Sequence, residues 1–162
     1  MAERTRIARA ILQLFTFPER HWIDRVTSID PGAGEVRARF ILPSAAMTAR
    51  RYSADTAVED RVVYPLSMAA VYALCPGAAV PFPHLGVEQP AELLQGIDLS
   101  YPELTFRAQS TLRADTEYPV TLRVAQARTE GRSVRVIFSI DEPAGGTVTI
   151  LLRPSRRHTR RA

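Results

Sequence analysis

The chain has 162 residues, of which 46% are hydrophobic, and its formal net charge is +4. This length and composition predict one globular domain with its own core. No apolar run reaches the roughly 18 residues that cross a membrane, and no export signal is visible, so we expect a cytoplasmic protein without a membrane partner. A single cysteine excludes an internal disulfide, and we expect neither a metal site nor a cofactor.

The positive charge is concentrated at the C-terminal end. Residues 154–162 hold four arginines, and the rest of the chain is nearly neutral. A basic tail can contact nucleic acid, but a solvated terminus explains it more simply, so nucleic acid is not an expected partner. We therefore divide the chain into an N-terminal helix at 1–19, a single domain at 20–153 and a basic tail at 154–162.

The first predicted elements are a helix and a hairpin. Apolar residues at helical spacing predict an amphipathic helix over residues 4–17, which Pro18 ends. Residues 22–29 and 35–42 alternate as strands do, and the turn between them contains two glycines. These features predict a helix followed by a β-hairpin.

The segment from Tyr52 to Cys75 is polar and acidic at its start and then almost continuously apolar. This pattern predicts one helix buried on all sides. Pro65 complicates its start, because an interior proline disrupts a helix by roughly 3 kcal/mol. The regular helix is therefore expected to begin near Tyr64, with residues 56–63 as an irregular lead-in or a first short turn.

After a proline-rich loop at residues 76–90, the remaining chain has the alternation of strands. A break at Tyr101-Pro102 leaves open whether the first strand is continuous. The last three strands, joined by tight turns, predict an antiparallel meander. The expected strands are residues 95–100 and 103–112, 118–128, 134–140 and 147–152, with a turn at 143–146.

This order of elements resembles the α+β hot-dog fold, in which an antiparallel β-sheet wraps around one central helix. The resemblance covers residues 20–153. It implies an enzyme acting on acyl thioesters of coenzyme A or acyl carrier protein. It also implies a homodimer or a dimer of dimers, because active sites of this fold lie where two protomers meet.

Three stretches are similar to the FcoT-like long-chain acyl-CoA thioesterases. They are residues 40–47, the helix entry Thr56-Ala-Val-Glu59, and Phe106-Arg107 with the following meander and its hairpin at 136–146. This chain has Thr56 and Ser67 near the positions where that family carries asparagines, and Phe15 and Met47 nearest its tyrosines. The reaction type therefore stays open.

The candidate catalytic groups cluster at the helix entry. Thioester hydrolysis needs a base for water and donors for the oxyanion. Backbone amides at the helix N-terminus can supply the donors, and Glu59 and Asp55 are the carboxylates within reach. The alternative is that both carboxylates only cap the helix, with Thr56 and Glu59 forming a capping box.

Tyr64 and Ser67 lie three residues apart and share a helix face, so they are a candidate hydroxyl pair that orients substrate or water. The alternative is a tyrosine at the sheet edge and a serine packed as a small residue. His84, in the proline-rich loop, is a further catalytic candidate or a loop-packing histidine. Arg107 suits the phosphates of the carrier. The predicted substrate-binding set is Thr56, Val63, Met68 and Arg107.

Three functions remain open. The leading hypothesis is a hot-dog thioesterase in fatty-acid, polyketide or lipopeptide biosynthesis, with Glu59 as base and the acyl chain between the central helix and the sheet. The second is a dehydratase or cyclase acting on a carrier-bound intermediate. The third is a non-catalytic acyl-binding module.

Overall fold

The computed structural model describes residues 2–13, 21–43, 58–74, 97–108, 112–141 and 144–154. Two α-helices and six β-strands lie in these ranges, with a short π-helical segment directly before the second helix. In chain order they are α1 (Ala2–Gln13), β1 (Ile23–Asp30), β2 (Glu35–Ile41), the π segment (Glu59–Val63), α2 (Tyr64–Leu74), β3 (Ile97–Ala108), β4 (Glu117–Glu130), β5 (Ser133–Asp141) and β6 (Ala144–Pro154).

The six strands form one sheet in the order β1-β2-β4-β5-β6-β3. Each neighbouring pair is antiparallel. β4, β5 and β6 are consecutive neighbours, so the predicted meander is confirmed. A six-stranded antiparallel sheet with one buried helix confirms the predicted α+β hot-dog fold.

The helix α2 is the centre of the hydrophobic core. Every residue from Pro65 to Ala73 is buried, as the continuously apolar sequence predicts. α2 packs on one side against α1 and on another against β1 and β2. The Arg4 guanidinium of α1 donates a 2.9 Å hydrogen bond to the Ala73 carbonyl, where a cation also complements the helix dipole.

The strands bury alternate residues against this helix, as the alternation in the sequence predicts. β5 is the clearest case, because its even-numbered positions are buried and the positions between them are half-buried. Phe40 and Phe138 are the largest side chains that are completely buried. The inward-facing residues of β5 are Val134, Val136, Phe138 and Ile140.

The outer face of β1, β2 and β4 carries ion pairs. Glu35 is almost buried there, and its carboxylate accepts hydrogen bonds from Arg37 and from Arg123, the latter at 2.6 Å. Arg123 also lies 3.6 Å from the Asp141 carboxylate. These hydrogen bonds lower the pKa of Glu35, with Arg123 the larger contributor.

One predicted turn is corrected, and one alternative that the sequence left open is decided. The turn expected at 143–146 is wrong for residues 144–146, because they belong to β6 and pair with β3, where Gly146 lies opposite Phe106. The Tyr101-Pro102 pair does not end a strand, since β3 continues through it with one irregularity between Ser100 and Glu103. In the described residues, no helix is long and apolar enough to cross a membrane.

Candidate functional site

Pro65 determines the local structure where the central helix begins. Without an N–H it cannot donate to the Arg61 carbonyl one turn earlier. The Trp22 N–H, at the start of β1, donates to that carbonyl instead at 2.9 Å. The preceding residues, Glu59–Val63, are wound as a π-helix, an arrangement often found at functional sites. The expected irregular lead-in is therefore confirmed for residues 59–63.

The π segment brings Glu59 close to Tyr64. The Tyr64 N–H donates to the Glu59 carbonyl, five residues back, so the two residues lie one above the other along the axis. Glu59 is half-buried and Asp60 is exposed. The charges of both carboxylates contribute, after burial, to a raised pKa of the Tyr64 phenol. The charge of Glu59 therefore acts on the Tyr64 phenol.

A group of hydroxyls surrounds the Tyr64 carbonyl. The Ser67 Oγ donates to it at 2.9 Å, and the Tyr101 hydroxyl of β3 donates to it at 3.3 Å. The rings of Tyr64 and Tyr101 pack at a centroid distance of 4.5 Å and a tilt of 57°. A serine and two tyrosines thus meet at the first turn of α2, and the Glu59 carboxylate lies near enough to affect the Tyr64 phenol. We call Glu59, Tyr64, Ser67 and Tyr101 the entry cluster.

The hydroxyls of the entry cluster are protonated groups. Burial raises the pKa of Tyr101 to about 12, against the opposing effect of a hydrogen bond with Ser67. Ser67 itself has no solvent exposure. Such groups can donate to a carbonyl oxygen or orient a water, but they cannot accept a proton near neutral pH. Within the entry cluster, Glu59 is the only group suited to act as a base.

The 3.3 Å hydrogen bond of Tyr101 is long for an O–H donor, whereas the 2.9 Å bond of Ser67 is ordinary. A long bond is weak and is readily exchanged for a better acceptor. The Tyr101 hydroxyl is therefore the more weakly bonded of the two donors to the Tyr64 carbonyl.

The predicted substrate-binding residues are placed in different surroundings. Val63 is completely buried in the hydrophobic core, and Met68, at 9% exposure, lies one turn beyond Tyr64. Arg107 lies in β3 opposite Gly145. Asp55, Thr56 and His84 lie outside the described residues, so their predicted roles stay predictions.

The backbone amides expected to hold an oxyanion are restricted by this geometry. Pro65 has no N–H, and the Tyr64 N–H is already bonded to Glu59. Val58 already has helical dihedral angles. Tyr64 and Pro65 therefore supply no free amide for an oxyanion, and the residues before Val58 lie outside the described ranges.

Two tyrosines were missed by the sequence interpretation. Tyr101 was considered only as part of a possible strand break, although its hydroxyl reaches α2 across 37 positions of sequence. Tyr72, in the third turn of α2, is buried with a hydroxyl that has no partner among the described residues. The available signal was a tyrosine inside an otherwise apolar helix. In the described ranges no three His, Cys, Asp or Glu residues come together as metal ligands.

Comparison with known proteins gives likenesses of structure alone. No family model matches the chain, and no curated protein matches it. A mutant of the thioesterase PA1618 from Pseudomonas aeruginosa is 10% identical over 82% of each chain, with a TM-score of 0.45. PA5026 of the same organism, a protein of unknown function and probable thioesterase, is 15% identical over 91% of this chain and 94% of that one, with a TM-score of 0.47.

A third similar structure is Cj0977, a sigma28-regulated virulence protein from Campylobacter jejuni. It is 9% identical over 96% of this chain and 92% of that one, with a TM-score of 0.42. Identities this low carry no residue of a neighbour's site onto this chain. The similarity to FcoT-like thioesterases therefore stays a prediction.

Proposed function

We propose that this protein hydrolyses acyl thioesters and that the entry cluster is its reaction centre. The observation that carries the proposal is that the hydroxyls of Tyr101 and Ser67 both donate to the Tyr64 carbonyl at the first turn of a buried, otherwise apolar helix. The charge of Glu59, five residues earlier, acts on the Tyr64 phenol. Polar groups inside an apolar core lower stability unless they are satisfied or used. Several donors near one carboxylate fit a reaction that needs a base and an oxyanion site.

The proposed reaction begins with a water held by the Glu59 carboxylate. Glu59 takes a proton from this water while the water oxygen attacks the thioester carbonyl carbon. The carbonyl oxygen becomes an oxyanion, which the Tyr101 hydroxyl and amides at the helix start stabilise. When the carbon–sulfur bond breaks, the proton on Glu59 passes to the leaving thiolate. The products are a carboxylic acid and a free thiol.

The acyl chain is proposed to lie along α2, between the helix and the sheet. The helix surface beyond Ser67 is apolar, and Met68 and Val71 are among its buried residues. A flexible thioether such as Met68 adapts to chains of different shape. Coenzyme A and acyl carrier protein present the same phosphopantetheine thioester, and Arg107 is proposed to bind phosphate of either carrier.

A homodimer is part of the same proposal. β3 is one of the two edge strands of the sheet that the described strands form, and it is 12 residues long. An edge strand of this length can pair with the same strand of a second copy. Because Tyr101 lies on β3, such pairing would place the entry cluster beside the second protomer. The mass of the protein in solution, measured by light scattering after size-exclusion chromatography, distinguishes a homodimer from a monomer.

The test is release of free thiol from a panel of substrates. Octanoyl-, dodecanoyl-, hexadecanoyl- and 3-hydroxydodecanoyl-CoA, and the same acyl groups on acyl carrier protein, are incubated with the protein, and products are identified by mass. Free acid and thiol in equal amounts are expected. Loss of water from a hydroxyacyl thioester that stays intact would indicate the dehydratase alternative, and tight binding without turnover would indicate an acyl-binding module.

A further inference from the structure

The third turn of α2 contains a buried hydroxyl that forms no hydrogen bond with any described residue. Tyr72 is only 6% exposed, and its phenol oxygen has no hydrogen-bond partner among the described residues. Its neighbours Val71 and Ala73 have no solvent exposure. Burial, and to a smaller extent the proximity of Tyr101, raise the pKa of Tyr72. The group is therefore a neutral hydroxyl with a proton to donate.

A tyrosine hydroxyl in such surroundings normally has a hydrogen-bond partner. Tyr118 shows the usual condition in this protein, because its ring packs on Phe40 while its hydroxyl oxygen accepts a 2.7 Å hydrogen bond from the Arg113 N–H. No described residue forms a hydrogen bond with the oxygen at position 72, and a phenylalanine of the same shape would avoid the desolvation of an unpaired donor. A ligand oxygen is the partner that would account for it.

The position of Tyr72 along the helix indicates which part of a ligand it meets. Its backbone lies eight residues after Tyr64, roughly 12 Å further along the axis, and Met68 lies one turn before it. Side chains of a helix lean toward its N-terminus, and the Tyr72 phenol is near enough to Tyr101 to be affected by it. A thioester held at the helix entry would leave the first part of its acyl chain beside this hydroxyl. Because the thioester carbonyl is assigned to Tyr101 and the helix-start amides, the acceptor for Tyr72 would belong to the acyl chain.

We propose that Tyr72 donates a hydrogen bond to an oxygen substituent, a hydroxyl or a keto group, on the acyl chain of the substrate. This inference rests on the proposed thioesterase function and narrows its substrate class to oxygenated acyl thioesters. A saturated hydrocarbon chain should bind less well, because it excludes water from the Tyr72 hydroxyl and supplies no acceptor for its hydrogen bond.

The test compares matched substrates on the wild-type protein and on Tyr72→Phe. The substrates are dodecanoyl-CoA and a series of hydroxydodecanoyl-CoA isomers with the hydroxyl at successive carbons. Wild type is expected to prefer one isomer over the saturated chain by about tenfold in kcat/KM, the value of one hydrogen bond. Tyr72→Phe should lose that preference while keeping its activity on dodecanoyl-CoA.

Tyr118→Phe is the matched control, since it removes a tyrosine hydroxyl that has a partner elsewhere in the fold. It should retain the wild-type preference. The melting temperature of Tyr72→Phe should equal or exceed that of wild type, and a clear fall would show a partner within the chain and overturn the inference. Two outcomes overturn this inference but leave the proposed function intact. In one, Tyr72→Phe keeps the wild-type preference for a hydroxylated isomer. In the other, wild type hydrolyses all substrates without any preference. Failure of wild type to bind or hydrolyse any thioester overturns the proposed function with it.

Discussion

Two regions of this molecule hold partly buried polar groups, and they satisfy them differently. On the outer face of β2 and β4, the Glu35 carboxylate receives hydrogen bonds from two arginines. At the start of α2, neutral hydroxyls share one carbonyl, one of them at a long 3.3 Å, and Tyr72 further along has no described partner. The outer face is a completed ion-pair network, whereas the helix side retains donors that a ligand can use.

This difference separates stability from activity. Completed charged hydrogen bonds are expected to stabilise the fold and to leave catalysis unchanged when removed. Donors that are weakly bonded in a buried site are expected to contribute little to the stability of the fold and more to substrate binding and catalysis. Substitutions in the two regions should therefore change different measured quantities.

The largest effect is expected for Glu59→Gln. The amide keeps the shape of the side chain but cannot take a proton from water, so kcat/KM for acyl-CoA should fall about a hundredfold or more. Asp60→Asn is the matched control, because it removes the neighbouring exposed carboxylate and should change activity less than about threefold. Equal activity of Glu59→Gln and wild type would remove Glu59 from the reaction.

On the outer face, Glu35→Gln should lower the free energy of unfolding by about 1–2 kcal/mol at neutral pH, because two charge-assisted hydrogen bonds weaken. Activity per folded molecule should stay at the wild-type level. Glu117→Gln, which breaks a more exposed pair with Arg25, should cost less than about 1 kcal/mol. A loss of activity in folded Glu35→Gln would contradict the separation of the two regions.

The pH dependence of stability tests the same carboxylate. The pKa of Glu35 is lowered from its ordinary 4.5, so its contribution is complete above that value and is lost as pH falls through the lowered folded-state pKa. Urea unfolding of wild type should therefore show stability decreasing on acidification below about pH 4.5. The decrease should be shallower in Glu35→Gln, and parallel curves would exclude Glu35 as its source.

Tyr101→Phe tests the weakly held donor of the entry cluster. Since its hydrogen bond to the Tyr64 carbonyl is long, removal should cost less than about 1 kcal/mol of stability but about tenfold in kcat/KM. Tyr118→Phe serves as the control with the opposite pattern, a stability loss without an activity loss. If Tyr101→Phe lowered stability and spared activity, its hydroxyl would be structural.

The smallest effect on stability is expected for Pro65→Ala. Alanine restores an N–H that can bond to the Arg61 carbonyl in competition with Trp22. The gain is offset by the greater freedom of the unfolded chain, so stability should change by less than about 1 kcal/mol. Activity should fall several-fold, because a regular α-helix would turn Glu59 away from Tyr64. Unchanged activity would show that the π segment is not required.

The sequence predicts the fold well where hydrophobic periodicity decides it. The central helix and the meander follow from local patterns, and Pro65 correctly marks the irregular helix start. The start of β6 was mistaken for a turn because Gly145-Gly146 is typical of turns. Here glycine is needed for close approach, since a Cβ on Gly146 would lie 2.0 Å from the Thr105 carbonyl oxygen. The close approach of β3 and β6, which are distant in sequence, therefore makes residues 144–146 part of a strand.

The candidate site was less predictable than the fold, because part of it depends on contacts between segments that are distant in sequence. Tyr64, Ser67 and Glu59 were predicted as candidates because they are close in sequence and share one helix entry. Tyr101 was missed because its hydrogen bond to Tyr64 joins a strand to a helix. The orphaned hydroxyl of Tyr72 was missed because a tyrosine in an apolar helix gives no sign in the sequence of whether an acceptor lies beside it.

The most direct measurement is hydrolysis of an acyl-CoA in water enriched in the heavy oxygen isotope. Attack of a water activated by Glu59 predicts free carboxylic acid carrying one heavy oxygen atom, together with free coenzyme A, at a rate strongly reduced in Glu59→Gln. Absence of acid release across the substrate panel, or labelled acid formed equally fast by Glu59→Gln, would contradict the entry cluster as a hydrolytic centre.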